Sequence, residues 1–220
     1  MPSAHLLSHL PRTALVVIDV QNAFNDPVVF HNRERSTPNM QPKITALLAA
    51  FRTNKLPIVH IHHIDTDKLD PEGTSPWNEK THPEGVLPQE YVQPQGEEPV
   101  LRKHDKSSGF NALLVSDGAT PLKAVLDKEN IKTIILVGMS SPHCVSSTAR
   151  AGYDAGFSVV VVGDACATFA AGVPDYPGAA KGDYKDGKAW SAEATHGVAM
   201  AHLDGDMADV VGTAEVLKFL

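Results

Sequence analysis

Three side chains of the types needed for covalent hydrolysis each stand where a buried strand should end. Cys144 follows the apolar run Lys132-Thr-Ile-Ile-Leu-Val-Gly138, within Met139-Ser-Ser-Pro-His-Cys144-Val-Ser-Ser-Thr-Ala-Arg150. The chain leaves a strand, turns through Gly138 and starts a helix close to the thiol. Unpaired N–H groups and the positive helix end placed there favour thiolate over thiol. The thiolate is the nucleophile, and it can attack an electrophilic carbon to form a covalent intermediate. Asp19 closes the run Thr13-Ala-Leu-Val-Val-Ile-Asp19, and Lys103 follows Val100-Leu-Arg102. A partly desolvated carboxylate can take the thiol proton and return it to a leaving group. A lysine cation beside them favours both ionised partners. Taken singly, a buried cysteine, a turn aspartate and a solvated lysine are commonplace. Their shared placement at strand ends is what argues for chemistry.

The elements that must position them read clearly. Continuous, apolar, β-branched runs at 14–19, 58–62, 100–102, 133–137 and 158–162 predict buried strands, with a weaker sixth at 208–211. Helical patterns lie between or after them at 43–53, 121–129, 145–155, 192–202 and 214–220. Alternation of this kind predicts an α/β fold, a parallel sheet with helices on both faces. Ligands of such sheets bind at the carboxyl ends of the strands, where Asp19, Lys103 and Cys144 would converge. Two Pro- and Gly-rich stretches, 66–96 and 171–190, break the rhythm. Loops of that length are functional lids or disordered. No composition shift marks a second domain, so 13–220 reads as one domain behind a 1–12 extension.

At 220 residues, 42% hydrophobic and 20% charged, the chain can bury a substantial core. A formal net charge of −7 without a basic block argues against nucleic acid or an anionic membrane as partner. Two cysteines, Cys144 and Cys166, are too few for a secreted disulfide scaffold. Free thiols in a reducing compartment are the simpler reading, though the residues alone leave a Cys144–Cys166 bridge open. The first residues lack a basic segment followed by a long apolar one, and no apolar run could span a bilayer. A cytoplasmic protein acting on a small molecule is therefore expected.

Thr13-Ala-Leu-Val-Val-Ile-Asp-Val-Gln-Asn-Ala-Phe24 and Gly138-Met-Ser-Ser-Pro-His-Cys-Val-Ser-Ser-Thr-Ala149 resemble motifs of the isochorismatase-like cysteine hydrolases. Val100-Leu-Arg-Lys-His-Asp-Lys-Ser-Ser-Gly-Phe110 is similar to that family's lysine segment, with six residues between Lys103 and Phe110 where five are usual. The resemblance implies a six-stranded, mainly parallel sheet, a homo-oligomer, and an Asp19, Lys103, Cys144 triad, with Lys106 as the fallback lysine. It also implies a cis peptide at Met139–Ser140 whose surroundings receive an oxyanion. His143, beside the nucleophile, and the aromatic residues Phe24, Trp77 and Phe110 are candidate substrate contacts, the aromatics being equally credible as core.

No cofactor is expected. His60, His62, His63 and Asp65 suggest a metal cluster at first sight. His60 and His62 would share one strand face while His63 points away. Asp65-Thr-Asp67 also lacks the histidine that metal-using members of the resembled family carry there. Pocket-lining or core-edge histidines are the preferred reading, with no metal. The leading function is a cysteine-dependent hydrolase of an amide-type C–N bond acting through a thioester. The alternatives are hydrolysis of a vinyl ether, as in the isochorismatase reaction, and a non-catalytic binding member of the fold. A dinucleotide-binding module is weak, because no Gly-x-Gly-x-x-Gly follows the first strand.

Overall fold

A computed structural model describes residues 12–26, 28–30 and 33–220. Apart from Arg12, the expected N-terminal extension lies outside the described residues. In chain order the elements are β1 (Thr13–Ile18), α1 (Met40–Thr53), β2 (Ile58–Ile64), β3 (Val100–His104), β4 (Leu113–Leu114), α2 (Leu122–Lys128) and β5 (Thr133–Met139). There follow α3 (Ser146–Asp154), β6 (Ser158–Ala167), β7 (Ala171–Gly172), β8 (Ala189–Trp190), α4 (Ala192–Ala201), β9 (Asp209–Val211) and α5 (Thr213–Leu217).

The central sheet has the order β4-β3-β2-β1-β5-β6-β9. Its neighbours are parallel except β4, which runs antiparallel to β3. The six expected strands are all present. The seventh, β4, is a two-residue edge pairing through Leu101–Leu114 and Arg102–Leu113, too short to show any period in sequence. β7 and β8 form a small separate ribbon inside the stretch 171–190.

Alternation along the strands explains the three layers. Ala14, Val16 and Ile18 of β1 join Ile134 and Leu136 of β5 in a core covered by α2, α3 and α4. Leu15, Val17, Ile135 and Val137 face the opposite core, where α1 supplies Met40, Ile44, Leu47, Leu48 and Phe51 and α5 supplies Val216. Central strands buried on both faces read as unbroken apolar runs for this reason.

The strand order reverses at β1. The chain proceeds outward through β2 and β3 on one side, then through β5 and β6 on the other. Such a switch point opens a crevice beyond the carboxyl ends of the strands. Here β1 ends one residue before Asp19, and β5 ends five residues before Cys144. At Gly138 the two strands come so close that a Cβ would stand 2.0 Å from the Ile18 carbonyl oxygen, and its φ is 123°. Only glycine satisfies both demands. Beyond Leu136 the register against β6 shifts, so that Gly138 pairs with Cys166.

Candidate active site

Four segments meet at the crevice. Lys103, at the end of β3, is fully buried, and its Nζ lies 2.8 Å from Asp19 Oδ2 and 3.4 Å from Cys144 Sγ. The same ammonium donates to the Lys106 carbonyl at 3.0 Å and stands 3.0 Å from His63 Nδ1. Lys106 contributes its carbonyl while its side chain is exposed. The lysine loop is tied to the cysteine helix at two points. Gly109 N–H donates to Thr148 Oγ1 at 2.8 Å, and the Ser107 and Ser147 hydroxyls lie 2.8 Å apart. Thr148 Oγ1 in turn donates to the Cys144 carbonyl at 2.6 Å.

Cys144 does not sit at the first turn of a regular α-helix. Ser141–Val145 forms a π-helical turn, and α3 begins at Ser146. The expected bias towards thiolate is overturned for the resting site. Burial pushes the Cys144 thiol up, the negative charge of Asp19 and a hydrogen bond to it push further, and Lys103 only partly offsets them, leaving it at about 12. Burial would lower the Lys103 ammonium, but its interactions with Asp19 first and Cys144 second outweigh it and hold the group above its usual range. The Met139–Ser140 peptide bond is cis. Ser140 lines the pocket next to Cys144, and Ser141, fully buried, lies 2.8 Å from His196 Nδ1 through its hydroxyl.

The crevice is a cavity of about 360 Å³, lined in part by Asp19, His63, Ser140, His143 and Cys144. Its wall is aromatic. Phe24 meets Trp77 edge-on at 4.9 Å between ring centroids, and Phe30 stacks on Phe169 at 4.4 Å. The Arg33 guanidinium lies 5.6 Å from the Phe30 ring and 5.7 Å from the Phe169 ring. The structure thus places Phe24, Trp77 and His143 at the cavity. Phe110 is not among the lining residues: it packs on Phe157 at 5.8 Å and against Gly152, in the core beneath α3. The loop between Lys103 and Phe110 is anchored next to it by the Gly109 N–H bond to Thr148.

Phe30, Phe169 and Arg33 escaped the reading of the sequence, which placed His63 among possible pocket-lining histidines without linking it to Lys103. The signal for His63 was available: β2 and β3 are adjacent parallel strands, and His63 pairs in register with Lys103. The other three lie in segments without periodicity. His60 lies on the opposite face, 2.9 Å from Glu98, which also binds Arg52 at 2.8 Å. Among the described residues no group of three His, Cys, Asp or Glu side chains is placed to hold a metal ion. Both cysteines are free, and Cys166 is wholly buried, its Sγ 3.9 Å from the Leu136 carbonyl.

The isochorismatase domain model matches residues 13–175, the stretch that carries Asp19, Lys103 and Cys144. The chain belongs to the isochorismatase family. It is 33% identical over 208 residues to an isochorismatase family protein of Bacillus subtilis, covering 94% of this chain and 99% of that one. A streptothricin hydrolase of Streptomyces noursei is 31% identical over 157 residues, 71% of this chain and 50% of the other. The crystal structure of a cysteine hydrolase from Pseudomonas syringae pv. phaseolicola superposes with a TM-score of 0.75 at 26% identity, covering 96% of this chain and 93% of that one. The chain is thus an isochorismatase-family hydrolase. No helix among the described residues is long and apolar enough to cross a membrane.

Proposed function

We propose that this isochorismatase-family hydrolase cleaves an amide-type C–N bond of a small molecule through a thioester on Cys144. The observation that carries the reading is the buried Lys103 ammonium in contact with both Asp19 and Cys144. Asp19 takes the thiol proton, and the sulfur attacks the carbonyl carbon. The carbonyl oxygen becomes an oxyanion beside the Met139–Ser140 segment, a low-dielectric position where oriented dipoles act strongly. Collapse of this adduct breaks the C–N bond, and Asp19 returns its proton to the departing nitrogen. Water, deprotonated by the same carboxylate, then attacks the thioester and releases an acid and the thiol. Cleavage of a vinyl ether needs no acyl nucleophile, so it leaves the buried cysteine contact without a role.

The walls describe the substrate. Phe24, Phe30, Trp77 and Phe169 suit a flat, largely apolar body, Arg33 at the mouth suits an anionic group, and His143 lies beside the reacting carbon. A streptothricin hydrolase among the relatives supports hydrolysis as the reaction class. The test is a panel of amides, ureides and isochorismate, with intact-protein mass recorded during turnover. An amide should be hydrolysed with a transient acyl adduct on the wild type, and Cys144→Ala should be folded and inactive. Near-normal kcat in that variant would exclude the acyl-enzyme route.

A further inference from the structure

We propose that His63, held by Asp65, is a positioning residue that anchors the Lys103 ammonium while the negative charge facing it passes from Asp19 to the Cys144 sulfur. The inference rests on Cys144 being the nucleophile. A lysine ammonium has three N–H donors, yet four partners surround this one: Asp19 Oδ2, His63 Nδ1, the Lys106 carbonyl and Cys144 Sγ. The donors are directed at His63, the Lys106 carbonyl and Cys144 Sγ, while Asp19 Oδ2 meets the ammonium as an ion pair. Once the thiol proton moves to Asp19, that carboxyl is neutral and the sulfur carries the negative charge. The net charge of the three groups is unchanged, but the anion that the ammonium faces is now the sulfur it already donates to. The neutral contacts to His63 and Lys106 do not change, and they hold the ammonium in place.

The surroundings of His63 suit this role. An ammonium offers donors alone, so Nδ1 must present its lone pair and the ring proton must sit on Nε2. There it donates to Asp65 Oδ1 at 2.6 Å, and Asp65 Oδ2 accepts from the Ser75 hydroxyl at 2.5 Å. A carboxylate on the far nitrogen fixes tautomer and ring orientation together. The buried Gln21 amide clamps the backbone, accepting from His63 N–H at 2.8 Å and donating to His63 C=O at 2.9 Å. A histidine serving only as pocket wall requires none of these restraints.

The test is the rate of Cys144 alkylation by iodoacetamide at one fixed pH, read by peptide mass, which needs no substrate. His63→Asn leaves an amide acceptor near the place of Nδ1, His63→Gln moves the amide out towards Nε2, and His63→Leu removes both. Loss of a charge-assisted contact predicts alkylation about 10-fold slower in the Leu and Gln variants, with kcat reduced and KM held. The Asn variant should recover to within about 3-fold of wild type. Wild-type alkylation in His63→Leu, or no recovery in His63→Asn, would overturn the proposal. Should circular dichroism show the Leu variant unfolded, equal rates for Asn and Gln overturn it instead. Failure of the amide panel with the wild type would strike the amidase reading alone, since alkylation does not depend on it.

Discussion

A lysine with no solvent exposure is an unusual thing for a chain to keep. Lys103 is retained beside an aspartate that is itself 1% exposed. Removing one member of such a pair leaves the other charge buried and uncompensated, at a cost of roughly 3–5 kcal/mol. Lys103→Met preserves volume but strands Asp19, so it should be both inactive and clearly less stable in urea. Asp19→Asn keeps the shape, removes the base, and should lower kcat by roughly 10²–10⁴. Lys106→Ala keeps the carbonyl that Lys103 binds and should retain most of the activity and stability. Activity lost only in the Lys106 variant would transfer the catalytic role to that residue. Of the two lysines, it is Lys103, directly at the strand end, that forms the buried ion pair with Asp19.

At the scale of elements, β2 is the instructive strand. Its run Ile58–Ile64 carries three histidines, and strand alternation separates them. His63 goes to the Cys144 side, while His60 goes to the face of α1 and Arg52. That alternation divides the cluster: His63 Nδ1 meets the Lys103 ammonium and His60 meets Glu98. His62 has a different consequence. Burial lowers it most, the neighbouring His60 adds to that, and together they bring it to about 4 despite the pull of Asp19. The unfolded chain protonates His62 near 6.5, whereas the native state resists until about 4. The contribution of His62 to stability is therefore present above pH 6.5 and is lost across the window from 6.5 to about 4. The single residue contributes up to about 1.4 kcal/mol per pH unit of that fall. Urea unfolding at several pH values should show a shallower decline in His62→Leu than in wild type. Some slope should remain, because burial also lowers His60. Parallel slopes for the two proteins would refute the assignment. The parallel strands were legible because each is a continuous apolar run. β4, β7 and β8, at two residues each, hold too little pattern to register.

At the scale of the whole molecule, the crevice is assembled from parts whose sequence gives little sign of a common purpose. The stretch 66–96 is a braced wall rather than a disordered loop. Asp70 accepts from Thr74 and Ser75 N–H and from the Asn78 amide at 2.9–3.0 Å, and Asp105 binds Thr66. Through that bracing Trp77 reaches Phe24, which follows β1, and through β6 the chain brings Phe169 under Phe30. The convergence of Asp19, Lys103 and Cys144 could be anticipated because strand ends of a parallel sheet converge by topology. The aromatic wall could not, because its members meet only through tertiary packing. Substrate preference should accordingly divide from chemistry. Arg33 is the only lysine or arginine among the described residues lining the cavity, and it lies far from Lys103 in sequence. Its guanidinium can meet an anionic substituent while the carbonyl lies against Cys144. An exposed charge-assisted contact of about 1.5 kcal/mol corresponds to roughly 10-fold in affinity. Arg33→Gln should therefore raise KM about 10-fold for amides bearing a carboxylate, leave kcat within about 2-fold, and barely change neutral analogues. Paired kinetics on an amide and its carboxylate-bearing analogue measure this directly. An equal rise in KM for both would mean that Arg33 holds the wall together through Phe30 and Phe169 and reads no charge, whereas a fall in kcat alone would place it against the reacting centre.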